Sequence, residues 1–435
     1  MDQSSFDDRY TIRRFSPGLT PEGTADAQTT AFFASVDAGF HQPEVAPDRL
    51  GRMVRHVIDD RTELLGVHRR DPMPDSLEVD APVGTFGSLP KRLSWGDGTE
   101  IDTFAIASVT VRPTERRRGI LRRMMTDSLH RAADEGYPLA SLTASEGTIY
   151  RRFGFGAAIR ERTIDVDRSA ALPLLVPARG EIAPVDTAVL AQGLARQVYE
   201  RFHARTPGSM TRNEGTWNAL LGRQGDGEPN RAVRAVVHRP SRSEPVDGYV
   251  TYKAEQTERH AVRLEIVDLV AATDEAYIAL WHHLLAVDLV RVVRYGTARV
   301  DDPVLHVLAD DRALSTVFEE DHVWFRVLDP VATFASRPFA VDGTVTIGVH
   351  DALGFADGTL RLSVVQGRAT VERTAGGQDE ADVELDVAEL GALVLGAVDV
   401  GTLVAAGLVR AEAGSAARLR AMLVPIRTPH QIAYF

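Results

Sequence analysis

Residues 111–125 read VRPTERRRGILRRMM. An apolar, β-branched run over 107–111 ends in Arg112-Pro113-Thr114; Arg116, Arg117, Arg118 and Gly119 follow, and then apolar residues at helical spacing. The pattern predicts a strand handing over to a helix through a basic turn. A helix start carries unpaired backbone N–H groups and a partial positive charge, so an anion is stabilised there without any special side chain. Arginines at that place oppose the helix dipole unless an anion binds. Gly119 has no Cβ to hold a ligand off. The turn therefore reads as an anion cradle, with a diphosphate as its natural guest and the preceding strand as the rail for whatever the diphosphate carries.

Outward from this turn, the first segment alternates helical and extended patterns. Helices are expected at 30–40, 47–60 and 120–134, and strands at 63–69, 102–111 and 139–144. A short helix is expected at 146–153. Gly136 and Pro138 stop the helix that begins after Gly119. Pro173, Pro177 and Gly180 punctuate a shift to a second segment of similar flavour. Its long helix is expected at 187–203, its strands at 234–238, 248–254 and 262–270, and an apolar helix at 275–292. It holds no equivalent of the Arg-Arg-Arg-Gly turn. From about 326 the pattern changes to strands at 344–350, 359–365, 367–373 and 383–387, followed by helices. Asp386 with Glu389 has capping-box spacing, and Ser415 is placed to cap the last helix. The division is thus 1–162, 163–325 and 326–435, in an α/β chain of mixed sheets.

Composition bounds the chemistry. The chain has 435 residues, 44% hydrophobic and 25% charged, with a net charge of −12, which suits several globular domains and cationic partners and disfavours nucleic acid. Cysteine is absent, so thiol nucleophiles, disulfides and thiolate metal sites are excluded. No basic leader precedes an apolar stretch and no run of 18 apolar residues occurs, so no membrane association and a cytoplasmic location are expected. His282-His283 lacks HExxH spacing, and no metal is expected.

Arg116-x-x-Gly119-x-Leu121, after a strand and opening a helix, resembles the acetyl-CoA signature of the GNAT N-acetyltransferases, although Leu121 stands where a small residue is usual. Tyr150 to Phe155 matches that family's Tyr-x-x-x-Gly-Phe segment after the next strand. Together with the segment GYPLASLTASEGTIYRRFGFG (136–156) and the aromatic Phe435, these motifs resemble the Eis family (enhanced intracellular survival) over nearly the whole chain. The resemblance implies two tandem GNAT-like domains, the second without a cofactor turn, and a third domain similar to sterol carrier protein 2. About ten N-terminal residues lie outside it.

What the resemblance implies for the site follows. Acetyl-CoA is the cosubstrate, held by Val109, Thr110 and Val111 on the strand, by Arg116, Arg117, Arg118, Gly119 and Ile120 at the turn, and by Ser145 and Glu146. Tyr150 is the general acid: a phenol near pKa 10 is close to matched to a thiol near 8.5. The carboxylate of Phe435 is the base, carried back by the third domain. Asp37 and Phe40 are candidates for the acceptor side. The implied function is acetyl transfer to primary amines of small polycationic molecules, aminoglycosides first, by a homohexamer. Acetylation of protein lysines or polyamines, and a non-catalytic acetyl-CoA sensor, stay open as alternatives.

Overall fold

A computed structural model describes residues 6–168, 173–223, 230–257 and 261–435. In the first segment the elements are β1 (Tyr10–Phe15), α1 (Ala27–Gly39), α2 (Pro47–Asp59), β2 (Glu63–Arg69), β3 (Gly84–Ser94), β4 (Glu100–Val111), α3 (Ile120–Asp134), β5 (Leu139–Leu142), the short α4 (Gly147–Tyr150) and β6 (Gly156–Asp167). Ile120, Met124, Met125, Leu129 and Ala132 recur at helical spacing and are buried, so α3 packs on one face of the sheet. On the other face, Phe32, Phe33, Leu50 and Val54 of α1 and α2 enclose Leu64 of β2.

The second segment repeats this plan with β7 (Glu181–Val185), α5 (Ala195–Arg205), β8 (Val233–Arg239), β9 (Gly248–Gln256), β10 (Val262–Ala271), α6 (Asp274–Ala286), β11 (Val290–Ala298) and β12 (Leu314–Val327). Both segments contribute to one sheet ordered β1-β2-β3-β4-β5-β12-β6-β11-β10-β9-β8-β7. The last strand of each half is exchanged: β12 pairs antiparallel with β5 of the first half, and β6 with β11 of the second. The two exchanged strands also pair with each other. Residues 162 and 325 therefore fall inside strands that the halves share.

The third segment forms a five-stranded sheet, β15-β14-β13-β16-β17. Its elements are β13 (Gly343–His350), β14 (Gly358–Val365), β15 (Arg368–Thr374), β16 (Val383–Asp386), α7 (Val387–Leu393), β17 (Val409–Ala411) and α8 (Ala413–Leu423). Its core is continuous with Leu93, Ile101, Leu139, Ile159 and Phe325 of the large sheet. Residues 424–435 run without strand pairing.

Four sequence expectations are corrected. The apolar stretch 275–292 is a helix only to Ala286; the chain turns at Leu289, with φ +67°, and Val290 opens β11. A buried helix and a buried strand are equally apolar, which hid the turn. The helix expected at 187–203 is broken by a wide turn at Leu190–Leu194, where Gly193 has φ +110°, and regular helix resumes at Ala195. Asp386 precedes α7 but its side chain caps nothing, and Glu389 binds elsewhere. Ser415 lies inside α8, its hydroxyl 3.5 Å from Asp382, while Glu412 takes the N-cap position. Among the described residues no helix is long and apolar enough to cross a membrane.

Candidate active site

The parallel ladder between β4 and β5 covers only Thr103–Ile106 against Leu139–Leu142. Beyond it β4 stays paired to β3 alone, and the register slips between Thr85 and Gly87, where Ser108 takes φ +54°. This bulge turns the last stretch of β4 away from β5. Among the described residues, no strand neighbours the edge of Val109, Thr110 and Val111 that faces β5. Val109 and Val111 put their side chains into the core with α3. The Thr110 hydroxyl meets that of Thr85 at 2.7 Å, and a Cβ on Gly39 at the end of α1 would lie 2.6 Å from the Thr110 side chain. The close approach of α1 to the strand thus depends on glycine.

At the end of this edge lies the arginine turn. Arg117 has φ +63° and Gly119 φ +77°, so the chain coils tightly before α3. Among the described residues no backbone carbonyl accepts the amides of Arg117, Arg118 or Gly119. Successive free amides in a turn of this kind form an anion-binding concavity. Arg116 and Arg117 are exposed and pair with no carboxylate among the described residues. Glu115, only 2% exposed, organises the turn from beneath: it accepts from Arg69 at 2.9 Å and from the Tyr10 hydroxyl, and Arg118 approaches at 3.4 Å. Sequence reasoning missed this carboxylate; its place beside three arginines gave no sign that it was buried. Ile120 is core, in contact distance of Gly84, so only its backbone belongs to the turn.

On the β5 side the loop carries Ser145 and Glu146, both exposed, into α4. Tyr150 ends that helix, its ring buried and 6.2 Å edge-to-face from Phe155. Its hydroxyl has no partner among the described residues and is not shut off from solvent. Burial raises the Tyr150 pKa, with Glu146 adding to the effect, so the phenol is fully protonated at neutral pH. The arginine turn thus follows β4 and Tyr150 follows β5, the two strands that part here.

Asp37 and Phe40 close the end of α1. The Asp37 carboxylate accepts from the Val45 amide at 3.2 Å, and Phe40 is 40% exposed. The chain end crosses the second half, with the His430 amide donating to Pro207 at 2.8 Å, and reaches β3, where Lys91 stands 5.8 Å from the Phe435 ring. No hydrogen bond joins Phe435 to Tyr150. Lys91 is a further residue that the sequence did not flag for this site: it is buried, donates to the Thr211 carbonyl at 2.6 Å and to Asn213, and desolvation lowers its pKa to about 8. Among the described residues no cluster of histidines and carboxylates is placed to hold a metal ion.

Comparison with known proteins places this geometry among acetyltransferases. Residues 23–158 and 208–327 match acetyltransferase (GNAT) domain models, and residues 330–431 match a sterol carrier protein domain. A Streptomyces avermitilis protein named as an uncharacterized N-acetyltransferase is 33% identical over 90% of this chain and 93% of its own length. The N-acetyltransferase Eis of Mycobacterium tuberculosis is 31% identical over 76% of this chain and 80% of its own length. The crystal structure of Eis1 from Mycobacterium abscessus superposes with a TM-score of 0.78 at 30% identity, covering 98% of this chain and all of that one. A GCN5-related N-acetyltransferase from Anabaena variabilis, 16% identical with a TM-score of 0.77, shares the fold.

Proposed function

The chain belongs to the Eis family of GNAT N-acetyltransferases, and on that premise we propose that it carries the acetyl group of acetyl-CoA to primary amines of small polycationic molecules, aminoglycosides foremost, at one or several positions. The observation that carries this reading is the opening between β4 and β5, which ends on three free amides and two unpaired arginines. These features suit the diphosphate of acetyl-CoA, and the open edge of Val109 to Val111 suits an amide-bearing chain laid along it as an added strand.

When bound, acetyl-CoA supplies a thioester whose C–S bond breaks as the C–N bond to the amine forms. Tyr150 gives its hydroxyl proton to the departing sulfur. Phe435 supplies a carboxylate whose charge holds the cationic amine; a free α-carboxylate, with a pKa of about 3.5, is too weak a base to keep the ammonium's protons, so a bridging water passes one to solvent and the other back to Tyr150 once the thiolate has taken its proton. Arg116, Arg117, Arg118, Gly119 and the Ile120 amide hold the diphosphate, and Ser145 and Glu146 border the thioester side. Asp37 and Phe40 border the acceptor.

The proposal extends to a homohexamer in the cytoplasm, divided as 1–162, 163–325 and 326–435 except where β6 and β12 are shared. A turnover screen with kanamycin, neomycin, spermidine and a lysine peptide as acceptors tests the substrate class. The aminoglycosides are expected to be acetylated fastest. Faster turnover of the peptide or spermidine, or turnover of none, overturns the assignment.

A further inference from the structure

Tyr150 ends a helix of four residues, Gly147–Tyr150, which is followed by a 3₁₀ turn at Arg151–Phe153. An isolated helix that short has no stability of its own. The ring packs into the core of the first half against Phe155, but the four residues themselves do not hold the backbone that carries it, and a further constraint on the turn comes from elsewhere in the chain.

It comes from the third domain. The Arg151 guanidinium reaches across to Glu389 on α7 at 2.6 Å. Glu389 is 2% exposed, a carboxylate taken out of water to meet this one cation. Two residues on, the Phe153 carbonyl accepts from Arg326 Nε at 2.8 Å. Arg326 lies on β12, is fully buried, and donates through Nη2 to both oxygens of Asp351 at 2.6 and 2.7 Å. Asp351 belongs to the third domain and is fixed in turn by the amides of Leu353 and Ala356 at 3.0 and 2.9 Å. A chain of charge-assisted bonds therefore runs from the third domain to the turn that carries Tyr150.

The glycines of the Tyr-Arg-Arg-Phe-Gly-Phe-Gly segment make this docking possible. A Cβ on Gly156 would lie 1.8 Å from the Ala388 carbonyl of α7, and one on Gly391 of α7 would lie 2.2 Å from the Phe325 carbonyl. Gly154 has φ +84°, and a Cβ there would meet Arg326 and Val387 at 2.6 and 2.7 Å. Helix and strand thus approach backbone to backbone directly behind the candidate acid.

We propose that the third domain is the positioning frame of the acetyl-transfer site, with Glu389 and Arg326 as positioning residues that aim Tyr150 through Arg151 and the Phe153 carbonyl. This rests on the reading of Tyr150 as the general acid. Its test uses Glu389→Gln, which keeps the shape of the side chain, and Arg151→Gln, whose site is 46% exposed and tolerates the change in folding. For the best acceptor of the screen above, each variant lowers kcat about 10-fold with the KM for acetyl-CoA unchanged, as displacement of one reacting group requires. Arg151→Lys restores most of kcat. In a Tyr150→Phe background Glu389→Gln adds almost nothing, because the group it aims is gone. Amide hydrogen exchange at Phe155, whose N–H donates to the Tyr150 carbonyl at 3.4 Å, quickens in Glu389→Gln.

Unchanged kcat with unchanged exchange overturns the proposal, as does an equal loss of kcat with and without Tyr150. Should Tyr150→Phe keep its turnover, or no acceptor be used, the general-acid reading falls by itself. Exchange at Phe155 then decides the positioning claim: faster exchange upholds it and unchanged exchange ends it.

Discussion

In the first half the chain passes from β4 to α3 through residues 112–119; in the second it passes from β10 to α6 through residues 272 and 273 alone. Both halves splay a parallel pair at this point, for β10 meets β11 only from Val262 to Ile266. Both carry a register slip there, between Ile266 and Asp268 in the second half. The second half then satisfies its helix start with its own atoms: Thr273 accepts from the Ala276 amide at 3.1 Å and donates to Asp247 at 2.6 Å. Its bulge carries Asp268, buried and clamped by Arg212 at 2.7 and 2.8 Å and by the Tyr249 hydroxyl at 2.6 Å. One plan is thus used twice. Where the first copy leaves amides and arginines unpaired at its helix start, the second caps that start with Thr273 and clamps its bulge through Asp268, although a cavity lined by Leu269, Ala271, Thr273, Tyr277 and Tyr295 stays open between its splayed strands.

The largest effect expected from this difference is on stability. Arg212→Leu leaves the Asp268 charge buried with two hydrogen bonds and its counter-charge gone, and should cost about 3 to 5 kcal/mol in urea unfolding. An unfolding midpoint close to that of the native chain would show that the clamp seals nothing. The next effect is on chemistry. Tyr150→Phe should lower kcat by roughly 100-fold with acetyl-CoA affinity retained. In the second half, Tyr277→Phe, which removes the hydroxyl bound to Asp302 at 2.6 and 2.7 Å, should leave kcat of the folded enzyme unchanged. Equal losses at both tyrosines would break the comparison. Deleting Phe435 or adding a C-terminal extension should reduce kcat on the order of 10-fold or more, again without loss of acetyl-CoA binding. A fully active extended chain would move the base elsewhere, with Asp37 next to be substituted.

The smallest effect is a difference in pH response. In the first half His68 is buried, and desolvation, with help from the Arg13 charge, lowers its pKa from 6.5 to about 4. The unfolded chain therefore takes the proton first, and stability falls as pH drops from 6.5 toward 4. The loss is on the order of 1 kcal/mol, because the adjoining cavity softens the desolvation. In the second half burial is the largest single influence on His238 and pulls it down, but the hydrogen bonds to Asp247 at 2.7 Å and to the Arg179 carbonyl at 2.8 Å, together with the Asp247 charge, raise its pKa on balance. His238 thereby contributes stability that is fully present below 6.5 and is lost as pH rises through the raised value. His68→Gln should flatten the acid limb of thermal unfolding, while Asp247→Asn should weaken the fold most below pH 6.5. An unaltered acid limb in His68→Gln would refute the first assignment.

Much of this was legible in the sequence where the chemistry is local. The arginine turn, the stop at Gly136 and the break before the third segment each follow from residues a few positions apart. The strand exchange was not, because β6 and β12 are separated by a whole half and their pairing leaves no local trace. The same holds for the support of Tyr150. Gly154 and Gly156 stand in the 136–156 segment with no sign of their partners, and what demands them is the Ala388 carbonyl and Arg326, distant in sequence. Arg326 and Glu389 sit among apolar neighbours, and only their folded partners reveal why charges are buried there.

Calorimetric titration of the intact enzyme with acetyl-CoA tests most directly whether the ligand site belongs to one half alone. One acetyl-CoA per chain is expected, and Arg116→Ala with Arg117→Ala should weaken binding by about 2 to 4 kcal/mol, the loss of charge-assisted contacts to a diphosphate. Two sites per chain, or an affinity untouched by the double substitution, would contradict it.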